Sequence, residues 1–163
     1  MRYTQTLEKL RALRLEGMAQ ALEEQRQQRE IAQLDFEERL GLLVERQALW
    51  KGNRALAVRL KNAQLKIPSA TLEDLDYRPS RGLKRAQIEQ LRATDWVQAH
   101  RSTLITGLTG TGKTWVACAL GHQACRDGYR TYYYAAAKLF RALETAQVDG
   151  CGRRRENGAK PPV

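Results

Sequence analysis

The chain has 163 residues, with 28 Lys plus Arg against 18 Asp plus Glu and a formal net charge of +10 at pH 7. That length is one domain or slightly more, and the 42% hydrophobic content supplies a modest core. No apolar stretch is long enough for a membrane span, and the N-terminus lacks the apolar run and small-residue site of a secretory signal, so the expected compartment is the cytoplasm.

The charge is spread along the chain. Residues 1–66 carry 13 basic and 9 acidic groups, residues 67–150 carry 11 and 8, and residues 151–163 carry 4 and 1. Each part is cationic by itself, and a positive field favours polyanions through counterion release, which makes nucleic acid the leading macromolecular partner. The three cysteines, Cys118, Cys125 and Cys151, form no CxxC pair, and His100 and His122 are the only histidines. They read as free thiols, with Cys118 and Cys125 buried on one helix face.

From Thr4 to about Glu30 the spacing of Leu7, Leu10, Leu13, Met18 and Leu22 predicts one long amphipathic helix. A second begins after Asp35, which with Glu38 has the spacing of a capping box. Phe36, Leu40, Leu43, Gln47, Trp50, Leu56 and Leu60 mark its apolar face to about Leu65, with Gly52-Asn53 as a point where it would break. The pair forms a helical hairpin. Its outward faces carry Arg11, Arg14, Arg26, Arg29 and Arg46, and the stretch from Lys51 to Lys66 holds five basic residues and no acid. Lys51, Arg54, Arg59, Lys61 and Lys66 are therefore the candidates for touching a phosphate backbone, although such faces are commonly just solvated.

Pro68, Pro79 and Gly82 punctuate a linker, and a helix from Lys84 to Ala99 follows. Then comes a β-prone run, Ser102 to Thr106, followed by Gly107-Leu108-Thr109-Gly110-Thr111-Gly112-Lys113-Thr114 and a helix-like segment. This is the G-x-x-x-x-G-K-[ST] phosphate loop in a strand-loop-helix setting. Its glycines let successive amides turn inward, the helix start adds free N–H groups, Lys113 faces the β and γ phosphates of a nucleoside triphosphate, and Thr114 is placed to ligate Mg²⁺. Tyr129 to Ala135 reads as a second strand, where exposed tyrosines are a conceivable platform for bases, and Ala136 to Gln147 as a helix. Residues 151–163 have no apolar periodicity and read as a disordered basic tail.

A P-loop hydrolase also needs an acid at the end of a second apolar strand. After Thr114 the acids are Asp127, Glu144, Asp149 and Glu156, and none follows such a run. Binding ATP is thus the stronger expectation, and hydrolysis the weaker.

LDFEERLGLLVERQ, NRALAVRLKNAQLKIPSATLEDLDY, RGLKRAQIEQLRATDWV, LITGLTGTGKTWVACALGHQACRDGYRTYY and KLFRALETAQVDG together resemble the IstB/DnaC-like helper ATPases of insertion-sequence transposition, in the AAA+ superfamily. The resemblance runs from about residue 5 to Gly150. It implies an ATP-dependent, DNA-binding homo-oligomer that assists a cognate transposase, with the nucleotide contacts on Gly107 through Thr114. Leu108 stands where the family has proline or a small residue. The family's acidic strand, sensor strand and arginine finger have no counterpart here, so the chain reads as truncated or frameshifted after about residue 150, with oligomerisation impaired.

The expected fold is therefore α/β: a helical domain over 1–66, a linker over 67–83, the N-terminal part of a P-loop AAA+ domain over 84–150, and the tail 151–163. With only two strands and exposed edges, that nucleotide-binding half is expected to be poorly stable. Two other readings fit fewer of these features. One is a non-catalytic helical module or inactive remnant that binds DNA or a partner regardless of nucleotide. The other is a small P-loop kinase.

Overall fold

A computed structural model describes residues 2–28, 31–77 and 82–148. They form helices α1 (Arg2–Ala12), α2 (Glu16–Gln27), α3 (Phe36–Ala63), α4 (Arg85–Arg92), α5 (Asp95–Gln98), α6 (Lys113–Arg126) and α7 (Ala136–Val148), with a 3₁₀ turn at Ile31–Gln33. Two compact units emerge among the described residues, one from those up to 62 with 124–130 and one from 63–123 with 131–148.

In the first unit the predicted helix from Thr4 to Glu30 is two helices. The break is a Schellman closure: Leu15 N–H donates to Leu10 O at 2.8 Å, Arg14 N–H to Arg11 O at 2.9 Å, and Arg14 takes the left-handed position with φ 59°. Glycine is the usual residue there, so nothing in the local pattern marked the turn. α2 then crosses α3 at Gly17, where a Cβ would stand 2.8 Å from Gln47 Cα and 2.9 Å from Trp50 Cβ. Only hydrogen fits between the two backbones. Gln47 Oε1 accepts the Met18 N–H at 3.1 Å, and Gln25 Nε2 donates to Arg39 O at 3.0 Å, so buried glutamines tie both ends of the crossing.

α3 starts at the predicted capping box: Glu38 N–H donates to Asp35 Oδ1 at 2.7 Å and Asp35 N–H to Glu38 Oε2 at 3.3 Å. It runs unbroken through Gly52-Asn53. Of its predicted apolar face, Gln47 is buried and Leu43, Trp50, Leu56 and Leu60 are half-buried, whereas Phe36 and Leu40 are exposed.

In the second unit Ala63, Leu65, Ala70, Leu72, Leu75, Ile88, Cys118, Ala119 and Leu120 are buried. Three of these belong to the segment expected to be a linker. The predicted helix from Lys84 to Ala99 is interrupted at buried Thr94, φ 53°, which separates α4 from α5.

The two predicted strands are not present as strands: no strand occurs among the described residues. Ser102 to Thr106 makes no backbone hydrogen bond there, and Tyr133 N–H donates to Ala63 O at 2.8 Å, so the tyrosine segment leans on the end of α3 instead of on a neighbouring strand. A β-prone run becomes a strand only when another strand takes up its donors and acceptors. The side-chain alternation survives even so: Tyr132 and Tyr134 are exposed and stack with ring centroids 6.5 Å apart, while Tyr133 is half-buried. Cys118 and Cys125 are fully buried free thiols. Cys151 and the rest of 151–163 lie outside the described residues, as does Arg29.

Candidate functional site

The loop 107–112 owes its shape to three glycines, with φ of 150° at Gly107, 85° at Gly110 and 88° at Gly112. The last two lie in conformations that L side chains rarely adopt. Between them the loop is stitched by Thr111, whose Oγ1 donates to Leu108 O at 2.8 Å. Leu108 itself is 81% exposed, so its bulk is accommodated outside the turn.

α6 begins as the loop ends. Its first internal bond runs from Val116 N–H to Gly112 O at 3.1 Å, which leaves the amides of Lys113, Thr114 and Trp115 without an intrahelical acceptor. These donors and the positive end of the helix dipole give the loop mouth the electrostatics that suit an anion. Lys113 Nζ donates to Gly107 O at 2.8 Å and to Leu108 O at 2.7 Å. An ammonium has three protons, so one remains for an external acceptor, and the two carbonyls hold the charge over the loop. The half-buried Thr114 hydroxyl has no hydrogen-bond partner among the described residues. Lys113 and Thr114 therefore present a cation and an oxygen ligand side by side, which is the donor set that a triphosphate with Mg²⁺ requires.

Next to the loop a cavity of about 90 Å³ is lined by Leu75, Asp76, Leu83, Ile105, Lys113 and Trp115 among others. The Trp115 Nε1–H is buried with no hydrogen-bond acceptor among the described residues. Sequence reasoning passed over Trp115 as an ordinary helix residue, because an unpaired donor is visible only when its surroundings are known.

The basic candidates separate. Lys51, Arg54 and Lys61 are exposed on α3, Arg54 and Lys61 being seven apart and so on one face. Arg59 is engaged internally, its Nε donating to Cys125 O at 2.8 Å at the C-terminal turn of α6. Lys66 is exposed in the second unit.

A model of the IstB-like ATP binding protein family matches residues 8–160. The chain belongs to that family. Among IstB-like relatives, it is 47% identical over 97% of its length to a Pseudomonas fluorescens protein named for insertion sequence IS1162 and ATP binding, covering 69% of that protein. It is 46% identical over 89% of its length to an insertion-sequence ATP-binding protein of Sinorhizobium fredii, covering 59% of it. A third, from Mycobacterium tuberculosis, is 32% identical over 94% of the chain, which spans 61% of that relative. The IstB-like match takes in the helices of the first unit as well as the loop. It also continues past Gly150, where the resemblance read from the residues stopped, to residue 160.

Proposed function

We propose that this IstB-like chain binds ATP with Mg²⁺ at Gly107 through Thr114 and binds double-stranded DNA without sequence preference, as a helper of insertion-sequence transposition. The observation that carries the reading is Lys113 Nζ, held by two loop carbonyls over a turn whose glycines at 110 and 112 have φ near 85–88°. When bound, ATP would supply the polyphosphate charge for this cation and the α6 amides to neutralise, and the Thr114 hydroxyl would serve as a ligand to the metal ion. The family membership and the insertion-sequence names of the relatives support the setting. Its other partners in this reading are a cognate transposase and further copies of itself.

Turnover is a separate matter. No acid after Thr114, whether Asp127, Glu144, Asp149 or Glu156, ends an apolar run, the place that a P-loop hydrolase gives its metal- and water-orienting carboxylate. In this reading the 163-residue chain holds the nucleotide without hydrolysing it, and ATP tightens its grip on DNA.

Titration with a fluorescent ATP analogue and Mg²⁺, beside Lys113→Ala, tests the site. Saturable binding that the substitution weakens by two orders of magnitude or more, roughly the value of a charge-assisted contact in a preorganised loop, is the expected result. Equal binding by both proteins sinks the proposal. Release of inorganic phosphate above the Lys113→Ala background would show that turnover had been wrongly excluded.

A further inference from the structure

We propose that the concave patch between the α1–α2 corner and the middle of α3 is a clamp for the DNA phosphodiester backbone, in which Arg14, Lys51 and Arg54 contact phosphates and Trp50 is the shelf that holds Arg54. This rests on the DNA-binding reading above and gives it a site. The patch encloses about 420 Å³ and is lined by Arg14, Glu16, Trp50, Lys51 and Arg54.

Four neighbouring arginines have polar partners that these cations lack. Between residues 11 and 59, Arg11 is paired with Glu23, Arg46 with Glu24, Arg39 with Gln25 and Arg59 with the Cys125 carbonyl. Arg26 lies over the Tyr3 ring. Among the described residues Arg14 and Lys51 make no ion pair or side-chain hydrogen bond, and Arg54 contacts only the Trp50 ring, its Cζ 5.2 Å from the centroid. Three cations thus face one concavity with a single acid, Glu16, among them. Stacking on Trp50 fixes the plane of the Arg54 guanidinium and leaves its N–H fork free, the geometry that suits a phosphate.

The backbone is arranged to put Arg14 there. Arg14 holds the left-handed position of the Schellman closure, φ 59°, where glycine would be less strained. The Gly17 crossing, with Trp50 Cβ only 2.9 Å from where a Gly17 Cβ would stand, fixes the corner beside Trp50. Arg14, Glu16, Trp50, Lys51 and Arg54 all belong to the first unit.

The test uses the 163-residue chain and a labelled random-sequence duplex, with affinity read by fluorescence anisotropy between about 50 and 200 mM NaCl. Arg14→Gln, Lys51→Gln and Arg54→Gln should each reduce the slope of log K against log salt by about one and weaken binding at the lower salt several-fold, while Lys9→Gln on the outer face of α1 does neither. Trp50→Phe should bind like the parent. Trp50→Ala should weaken binding as Arg54→Gln does, and the double variant should be no weaker than either, because the shelf acts only through the guanidinium. If the three cleft variants keep the parental slope while Lys61→Gln or Lys66→Gln reduces it, the clamp is wrong and DNA binding stands. If the parent binds no duplex in a salt-dependent manner, clamp and DNA reading fall together.

Discussion

Arg14, Thr94 and His100 have φ of 59°, 53° and 51°, and each follows the last turn of a helix. At His100 the closure is again of the Schellman type, with Arg101 N–H donating to Trp96 O at 2.8 Å and His100 N–H to Val97 O at 3.1 Å. A non-glycine residue in this region costs roughly 1 kcal/mol or somewhat more, so His100→Gly, at an exposed position, should raise the unfolding free energy by about 1 kcal/mol in urea titration. Arg14→Gly should gain a similar amount and at the same time lose duplex affinity, a divergence that a purely structural arginine would not produce.

The helical glycines make the opposite pair of cases. Gly17 has α3 backbone within 2.9 Å of its missing Cβ, and Gly52 has nothing within 4 Å. Gly17→Ala must push two helices apart and should destabilise by about 1–3 kcal/mol, the usual cost of overpacking. Gly52→Ala adds a good helix former in open space within α3 and should stabilise by about 0.5–1 kcal/mol. Urea midpoints for the two variants should move in opposite directions; a shift of the same sign in both would contradict the close crossing.

At the scale of the element, α3 shows what local signals can and cannot do. Its start is fixed by the Asp35–Glu38 box, and Asp35→Ala should cost about 1 kcal/mol by loss of the N-terminal cap, readable as a lower thermal midpoint in circular dichroism. Its passage through Gly52-Asn53 follows from length, since one interior glycine is a small penalty spread over 28 residues. The shape of the glycine-rich loop was equally legible, because the need for positive φ at Gly110 and Gly112 and the reach of Lys113 to the Gly107 carbonyl are properties of seven consecutive residues.

The strand segments were legible only in part. Ser102 to Thr106 and Tyr129 to Ala135 have β-favouring residues, and the tyrosines alternate as they would in a strand, yet no ladder forms among the described residues. Composition states a preference for extended backbone, whereas a sheet also needs a partner at the right distance.

For the whole molecule, the net charge of +10 and the exposed apolar side chains pull in different directions. Phe140 is 62% exposed on α7, and Leu104 at 87% and Leu108 at 81% lie on segments that lack regular hydrogen bonding. Such segments open at little cost, so limited proteolysis should cut first within residues 101–112 and 127–135, and ATP with Mg²⁺ should slow cleavage near Lys113. Survival of 102–147 while α3 is cut would reverse this ordering of stability. Among the described residues no helix is long and apolar enough to cross a membrane.

The residue order alone determined the shape of the glycine-rich loop, the capping box, the thiol face of α6 and the family, because each depends on neighbours within a turn or two or on a pattern spread along the whole chain. Tertiary structure decided where the first helix breaks, whether the β-prone runs pair, which arginines are neutralised and which cations share a cleft. Those outcomes turn on residues far apart in sequence: Gly17 meets α3, Arg59 finds the Cys125 carbonyl, and Arg14 comes to stand beside Trp50. A linear pattern records spacing along one helix, but the pairing of a charge or a strand depends on what the fold brings within about 3–5 Å of it.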